Sequence, residues 1–264
     1  MLGRLVRLTL STLAKTPEEV FARHQSEVSK VADRFNFMND AMTFRMHRLW
    51  KIELADMLGT MYAGKPLHFL DLCAASGDVA CKLTDKMRAE MKEMYLKQAP
   101  FTVSMVDCNP DMIRVCKARM IAEDYPFAGI TEARAEDLPF EKDTFDAVVC
   151  SFGFRSIVDK AKALDEAMRV LKPGGRLLTL EFGKVENPIL NFAYSAYKRA
   201  MIPALGQFYE NNYDSYEFFA NSIDSFYTAE EWKTHLSQAG FSLVTHKDLM
   251  GGIVMVHSGV KLLE

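Results

Sequence analysis

The residues best suited to chemistry lie in one short loop and at the end of a nearby strand. Asp71-Leu72-Cys73-Ala74-Ala75-Ser76-Gly77-Asp78 continues from the apolar run His68–Cys73 into a stretch of small side chains. Small residues let a backbone turn approach a ligand closely. Further on, the run Phe101–Val106 ends in Asp107. A carboxylate placed there in an α/β unit can accept hydrogen bonds from both hydroxyls of a ribose. The competing reading is a tight turn followed by a helix N-cap. Neither Gly-x-Gly-x-x-Gly nor Gly-x-x-x-x-Gly-Lys-Ser/Thr occurs, which argues against a nicotinamide dinucleotide or a phosphate-cradling loop. The six histidines are scattered without a His-Glu-x-x-His, so no metal is expected. The five cysteines, Cys73, Cys81, Cys108, Cys116 and Cys150, are odd in number and form no Cys-x-x-Cys. They read as free thiols in a reducing compartment.

These residues must be positioned by alternating strands and helices. His68–Cys73, Phe101–Val106, Ile130–Ala135, Phe145–Cys150 and Arg176–Glu181 read as strands, with helices over 78–97, Asn109–Asp124 and Asp159–Leu171. Asn109 with Pro110 makes a good helix start. Lys172-Pro173-Gly174-Gly175 reads as a turn. The alternation predicts a parallel sheet covered on both faces. It resumes at a helix over 228–239, ended by Gly240, and closes with strands near 242–248 and 252–262 joined at Gly251-Gly252, an antiparallel edge.

Two helical segments interrupt this pattern. Residues 17–64 form an N-terminal extension: Pro17-Glu18-Glu19 opens a helix after Thr16, Val20, Phe21 and His24 share a face, and Met46, Leu49, Trp50 and Glu53 follow helical spacing. His47, beside Trp50, reads as a packing or capping residue. Residues 188–227 form an insertion within the 65–264 domain, with Phe192, Tyr194, Tyr197, Ile202, Leu205, Phe208 and Tyr209 and few charges. Such a pair of helices either covers an apolar ligand or a membrane surface, or packs on the sheet or a second subunit. The charged segment 85–100 reads as a solvated helix extension.

Composition excludes several classes. The chain has 264 residues, 49% apolar and 25% charged, with a net charge of −3. It is neither a disordered chain nor, with 32 basic against 35 acidic residues, a basic nucleic-acid binder. No run reaches the roughly 18 apolar residues of a spanning helix. Residues 1–16 contain Arg4, Arg7 and Lys15, no acid, and Leu mixed with Ser and Thr. That is the composition of a mitochondrial transit segment; a frayed basic terminus of a cytoplasmic protein is the alternative.

Further motifs add a resemblance. Ala135-Glu136-Asp137-Leu138-Pro139-Phe140, Thr144-Phe145-Asp146 and Arg169–Arg176 with its Leu-Lys-Pro-Gly-Gly turn follow the loop and Asp107 in order. This order resembles class I S-adenosylmethionine-dependent methyltransferases. Phe35–Asp40 through His47-Arg48-Leu49-Trp50, Ser151–Arg155, Val170–Glu181 and Gly252–Gly259 are similar to the ubiquinone/menaquinone biosynthesis C-methyltransferases of the UbiE type, over residues 28–262. The resemblance implies a Rossmann-like fold: a mostly parallel seven-stranded sheet with an antiparallel edge strand and helices on both faces.

It also implies roles. S-adenosylmethionine would be bound by Asp71 (orienting the loop or accepting from the ammonium group), Ser76, Gly77 through close backbone approach, Asp107 at the ribose, Arg134 and Ala135 beside the adenine, and Ser151 near the methionine part. Arg155 would be catalytic, stabilising phenolate or hydroxide charge, since arginine is a poor base; a salt bridge to Asp159 is the structural alternative. The implied substrate is a polyprenyl benzoquinol. The implied setting is the matrix side of the mitochondrial inner membrane, in peripheral membrane contact, as a homodimer with other ubiquinone-biosynthesis proteins and without nucleic acid. The chain departs from the family pattern at Ala74-Ala75-Ser76, where Gly-Gly-Thr is usual, at Arg134 for Asn, and at Ser156 for Asn. The altered loop motivates an alternative function as a catalytically weak or inactive scaffold.

Overall fold

The computed structural model describes residues 16–59, 65–93, 101–125 and 129–263. The expected transit segment, apart from Thr16, lies outside the described residues. Seven strands form one sheet: β1 Leu67–Leu72, β2 Phe101–Asp107, β3 Gly129–Glu132, β4 Phe145–Ser151, β5 Leu171–Phe182, β6 Ser242–Leu249 and β7 Val254–Val260. Their order is β3-β2-β1-β4-β5-β7-β6. The first five strands are mutually parallel, and β7 pairs antiparallel with both β5 and β6. The chain runs outward from β1 to β3 and then returns to β4 beside β1. This reversal opens a crevice at the carboxyl ends of β1 and β4, where α/β sheets bind ligands.

The helices are α1 Pro17–Val31, α2 Phe35–Thr43, α3 Met46–Asp56, α4 Asp78–Glu93, α5 Pro110–Ala122, α6 Lys160–Val170, α7 Pro188–Glu210, α8 Tyr213–Ile223 and α9 Ala229–Gln238. Central strands are buried on both faces, as their apolar runs require. One face packs Phe69, Val103 and Val149 against Trp50 and Leu54 of α3, Leu83 of α4 and Met120 of α5. The other packs Leu70, Val148 and Leu177 against Leu164 of α6 and Trp232 of α9. Trp232 Nε1 donates to the buried Thr179 Oγ1 at 2.9 Å, so its one polar atom is satisfied.

The Lys172–Gly175 turn proves to be a bulge inside β5. Leu171 pairs with Phe145 and Arg176 with Ala147, leaving the intervening residues looped out. Gly174 has φ +81°, and a Cβ on Gly175 would lie 2.7 Å from the Lys172 carbonyl. The glycines are required there by backbone geometry.

Extension and insertion pack on each other. Met38 and Met42 of α2 form a small core with Ile202 of α7 and with Tyr216 and Ala220 of α8. Gly206 lets α7 lie directly on the Tyr216 ring. The outer side of the insertion leaves Ile189, Phe192 and Phe208 exposed. The insertion also reaches the sheet, with Ile223 of α8 buried beside Leu180 and Phe182 of β5, so its inner face both packs on the sheet and borders the space above the crevice.

Candidate active site

A cavity of about 420 Å³ lies over the crevice. Its floor is made by the strand ends: Cys73 to Ser76 after β1, Asp107 and Cys108 after β2, Ala135 beyond β3, and Ser151 to Arg155 after β4. Its roof is made by α1, α2, α7 and α8, including Phe21, Val28, Met38, Met42, Tyr197, Ile202 and Phe219. The floor is polar at chosen points and the roof is largely apolar. That is the make-up of a small-molecule site.

Asp107 is held by backbone donors. Ala75 N–H donates to Oδ2 at 2.8 Å and Asn109 N–H to Oδ1 at 2.9 Å. Asp107 lines the cavity, and an ionised carboxylate can accept further donors beside these. Asn109 caps α5, accepting from the Asp111 and Met112 amides. Burial nevertheless pushes the Asp107 carboxyl above its ordinary range. Ala75 adopts φ +47°, in the left-handed region. The Ala-for-Gly departure thus falls on a position that strains an L-residue, yet the loop keeps the turn.

Ser151 contributes a buried hydroxyl with no hydrogen-bond partner on the cavity wall. Ala135 is buried on the same wall. Together with Asp107 and the Ala75 turn they form a strip with unfilled polar valence, which fits a nucleoside and its amino-acid-like tail.

Other expected ligands sit differently. Ser76 is on the wall, but its hydroxyl donates to Asn36 Oδ1 of α2 at 2.6 Å, tying the loop to the extension. Gly77 does not reach the cavity. Its φ is +76°, and a Cβ would lie 2.7 Å from Met120 Cε and 2.8 Å from Cys116 Sγ. The glycine serves the approach of α5, not of a ligand. Asp71 lies behind the wall and is 1% exposed. Its Oδ2 accepts the Ala80 N–H at 2.9 Å, its Oδ1 has no partner, and burial raises it to about 7. Of its two implied roles the geometry matches orientation of the loop and α4, not contact with an ammonium group.

Arg134 also lies outside the cavity. It pairs with Glu136 at 2.9 Å and Glu18 at 3.2 Å and stacks on Phe21, its guanidinium carbon 4.6 Å from the ring centroid. Its side chain is engaged by α1 through Glu18 and Phe21.

Arg155 is on the wall, its side chain almost fully buried. The alternative, a salt bridge to Asp159, does not form; Asp159 caps α6 by accepting the Lys162 N–H. Instead Arg155 donates to the Phe152 carbonyl, approaches Ser222 Oγ at 3.4 Å and packs on Phe219 and Phe182. Its nearest counter-charge is Glu181, 3.8 Å away. Burial lowers Arg155 from its ordinary value.

Three contributors escaped sequence reasoning. His24, of which only its helical face was read, binds Ser156 Oγ at 2.9 Å and is pushed down to about 4 by burial and by Arg155. Val20, expected on the same face, points to solvent. Asn36 latches Ser76. Glu181 lies fully buried behind Arg155. An acid ending an apolar strand marks Asp71 and Asp107, and the same signal was present at Glu181. His47 is a buried linker, with Nε2 2.9 Å from Asp40 and Nδ1 3.6 Å from Asp78.

A model of the ubiE/COQ5 methyltransferase family matches residues 19–261. Proteins named ubiquinone/menaquinone biosynthesis C-methyltransferase UbiE from Rickettsia felis and Rickettsia bellii are each 37% identical over 238 residues, spanning 90% of this chain and 92% of theirs. Among solved structures, a S-adenosylmethionine-dependent methyltransferase from Thermotoga maritima, described as a possible histamine N-methyltransferase, superposes with TM-score 0.59 at 16% identity, over 89% of this chain and 99% of that one. A S-adenosylmethionine-dependent methyltransferase from Aquifex aeolicus gives TM-score 0.55 at 15% identity, over 81% and 93%. These two likenesses show the fold.

Proposed function

This chain belongs to the ubiE/COQ5 methyltransferase family, and from that premise we propose that it methylates a ring carbon of a polyprenyl benzoquinol in ubiquinone biosynthesis. It is a S-adenosylmethionine-dependent C-methyltransferase. When bound, S-adenosylmethionine supplies an electrophilic methyl group. Asp107, the Ala75 turn, Ala135 and Ser151 are the residues that would hold it. The rest of the chemistry belongs to the chain. A ring carbon is a weak nucleophile until an adjacent hydroxyl loses its proton, so the site must favour a phenolate. Arg155 supplies a fixed positive charge for it in a water-poor pocket, where such a charge acts strongly. The apolar roof accepts a prenyl chain.

One observation carries this reading: the polar strip at the strand ends and the apolar roof are two walls of one cavity, and Arg155 stands between them. Calorimetric titration with S-adenosylmethionine and S-adenosylhomocysteine, followed by assay with a short-chain benzoquinol, tests it. We expect micromolar binding and a methylated ring. Arg155→Ala should lower kcat by about 100-fold or more while cofactor affinity stays put. The scaffold reading, motivated by Ala74-Ala75-Ser76, requires the opposite, no binding at millimolar ligand.

We further assign the chain to the matrix side of the mitochondrial inner membrane, as a homodimer in contact with other ubiquinone-biosynthesis proteins. The acid-free basic start supports the address, and the exposed Ile189, Phe192 and Phe208 support a peripheral membrane or subunit contact. The relatives named above are bacterial, so the address rests on residues 1–16. A reporter fused to that segment should be imported, and one that stays in the cytosol removes the assignment.

A further inference from the structure

Forming a phenolate releases a proton, and arginine cannot take it near neutrality. Around Arg155 the structure offers few acceptors. Lys160 of α6 is a cation. His24 of α1 has Nε2 on Ser156 and is disfavoured as a cation by burial and by Arg155. The Tyr194 hydroxyl of α7, pushed up by burial, and the Cys73 thiol after β1, pushed up by its contact with Cys150 and by burial, already hold their protons. Cys150 of β4 is buried and lies beside Cys73. Two carboxylates line the cavity at the strand ends, but Asp107 is held by backbone donors and Glu136 is paired with Arg134. The carboxylate that faces Arg155 is Glu181, near the end of β5. It is fully buried. Its Oε1 accepts the Arg155 backbone N–H at 3.3 Å. Its Oε2 lies 3.8 Å from Arg155 Nη1 and has no hydrogen-bond partner.

We propose that Glu181, which pairs with Arg155 from behind and does not itself line the cavity, becomes protonated as the phenolate of the quinol forms against Arg155. The quinol O–H bond breaks, its electron pair stays on oxygen and its proton passes to water; water returns one proton to Glu181, where an O–H bond forms, and no electrons leave or enter. Before the step Arg155 faces carboxylate. After it, Arg155 faces phenolate and Glu181 is neutral. The buried space holds one anion against one cation throughout. Without protonation it would hold two anions, which a low-dielectric interior opposes. Burial raises Glu181 to about 7, so its affinity for the proton suits a neutral medium. Glu181 is thus a positioning residue for Arg155 as well as its proton-accepting partner. The inference rests on the quinol reading of the cavity.

The test uses 4-nitrophenol, whose anion is read by visible absorbance, with the full chain and S-adenosylhomocysteine. Calorimetry at about pH 8, in two buffers of different ionisation enthalpy, counts protons. Wild type should take up close to one proton (about 0.9) per phenolate bound. Glu181→Gln should take up none, while its S-adenosylhomocysteine affinity stays within about twofold. Binding without uptake by wild type overturns this inference alone and needs no variant to fold. Undiminished uptake by Glu181→Gln overturns it too, assigning the proton to another carboxyl such as Asp71. Failure of the phenol to bind overturns the quinol reading and this inference with it. In turnover, Glu181→Gln should lower kcat about 100-fold and remove the inflection near neutrality from the kcat profile. An unchanged profile shape would mark Glu181 as merely structural.

Discussion

At the scale of the residue, the most telling position is Ala75. Its amide donates to Asp107, and that hydrogen bond requires the φ of +47° that glycine adopts freely. The strain amounts to about 1 kcal/mol. Ala75→Gly should therefore raise the melting temperature by roughly 2–4 °C and leave S-adenosylmethionine affinity equal or tighter. A lower melting temperature would mean that the left-handed turn costs alanine nothing. The residue scale also separates glycines with different duties. Gly77 looks like a ligand-facing residue in the sequence, yet it makes room for Met120 and Cys116. Its type was legible, but its partner is distant in sequence.

At the scale of the element, α1 behaves as a cover fastened by polar contacts. Thr16 and Glu19 form a capping box at its start. None of its residues is buried. It is held by Glu18 and Phe21 on Arg134, by Gln25 and Ser29 on Asn109, by His24 on Ser156 and by Glu27 on Ser215. Each contact joins α1 to the end of a strand or to α8, so the helix lies across the strand ends that floor the cavity. A surface ion pair contributes little to stability, but it can set how often a cover opens. Arg134→Ala should raise both the association and the dissociation rate of S-adenosylmethionine by about threefold, with little change in Kd. Stopped-flow binding measures this. A change in Kd with an unaltered association rate would return Arg134 to adenine recognition.

At the scale of the whole molecule, buried acids shape the response to pH. Asp71 is raised to about 7 from an ordinary value of 3.8. Between these values the folded chain keeps a proton that the unfolded chain gives up, so stability from this group falls as pH rises and levels off above about 7. Glu181 acts in the same direction. His24 and His257, lowered to about 4, act oppositely, weakening the fold as pH falls from about 6.5. Asp71→Asn isolates one contribution, since an amide can still accept the Ala80 N–H. In urea denaturation the variant should gain on wild type between about pH 5.5 and pH 8. Parallel curves would show that Asp71 titrates normally. Sequence by itself determined the sheet, its alternating helices, the N-cap of α5, the placing of Asp107 and Ser151 at strand ends, and the family, because these depend on local periodicity, turn chemistry and motif order. Tertiary structure alone decided that Lys172–Gly175 bulges within a strand, that Arg134 fastens α1, that the insertion packs on the extension as a roof, and that Glu181 stands behind Arg155. Each of these is a pairing between residues far apart in the chain, and side-chain type carries no record of which distant partner the fold will bring within a few ångströms.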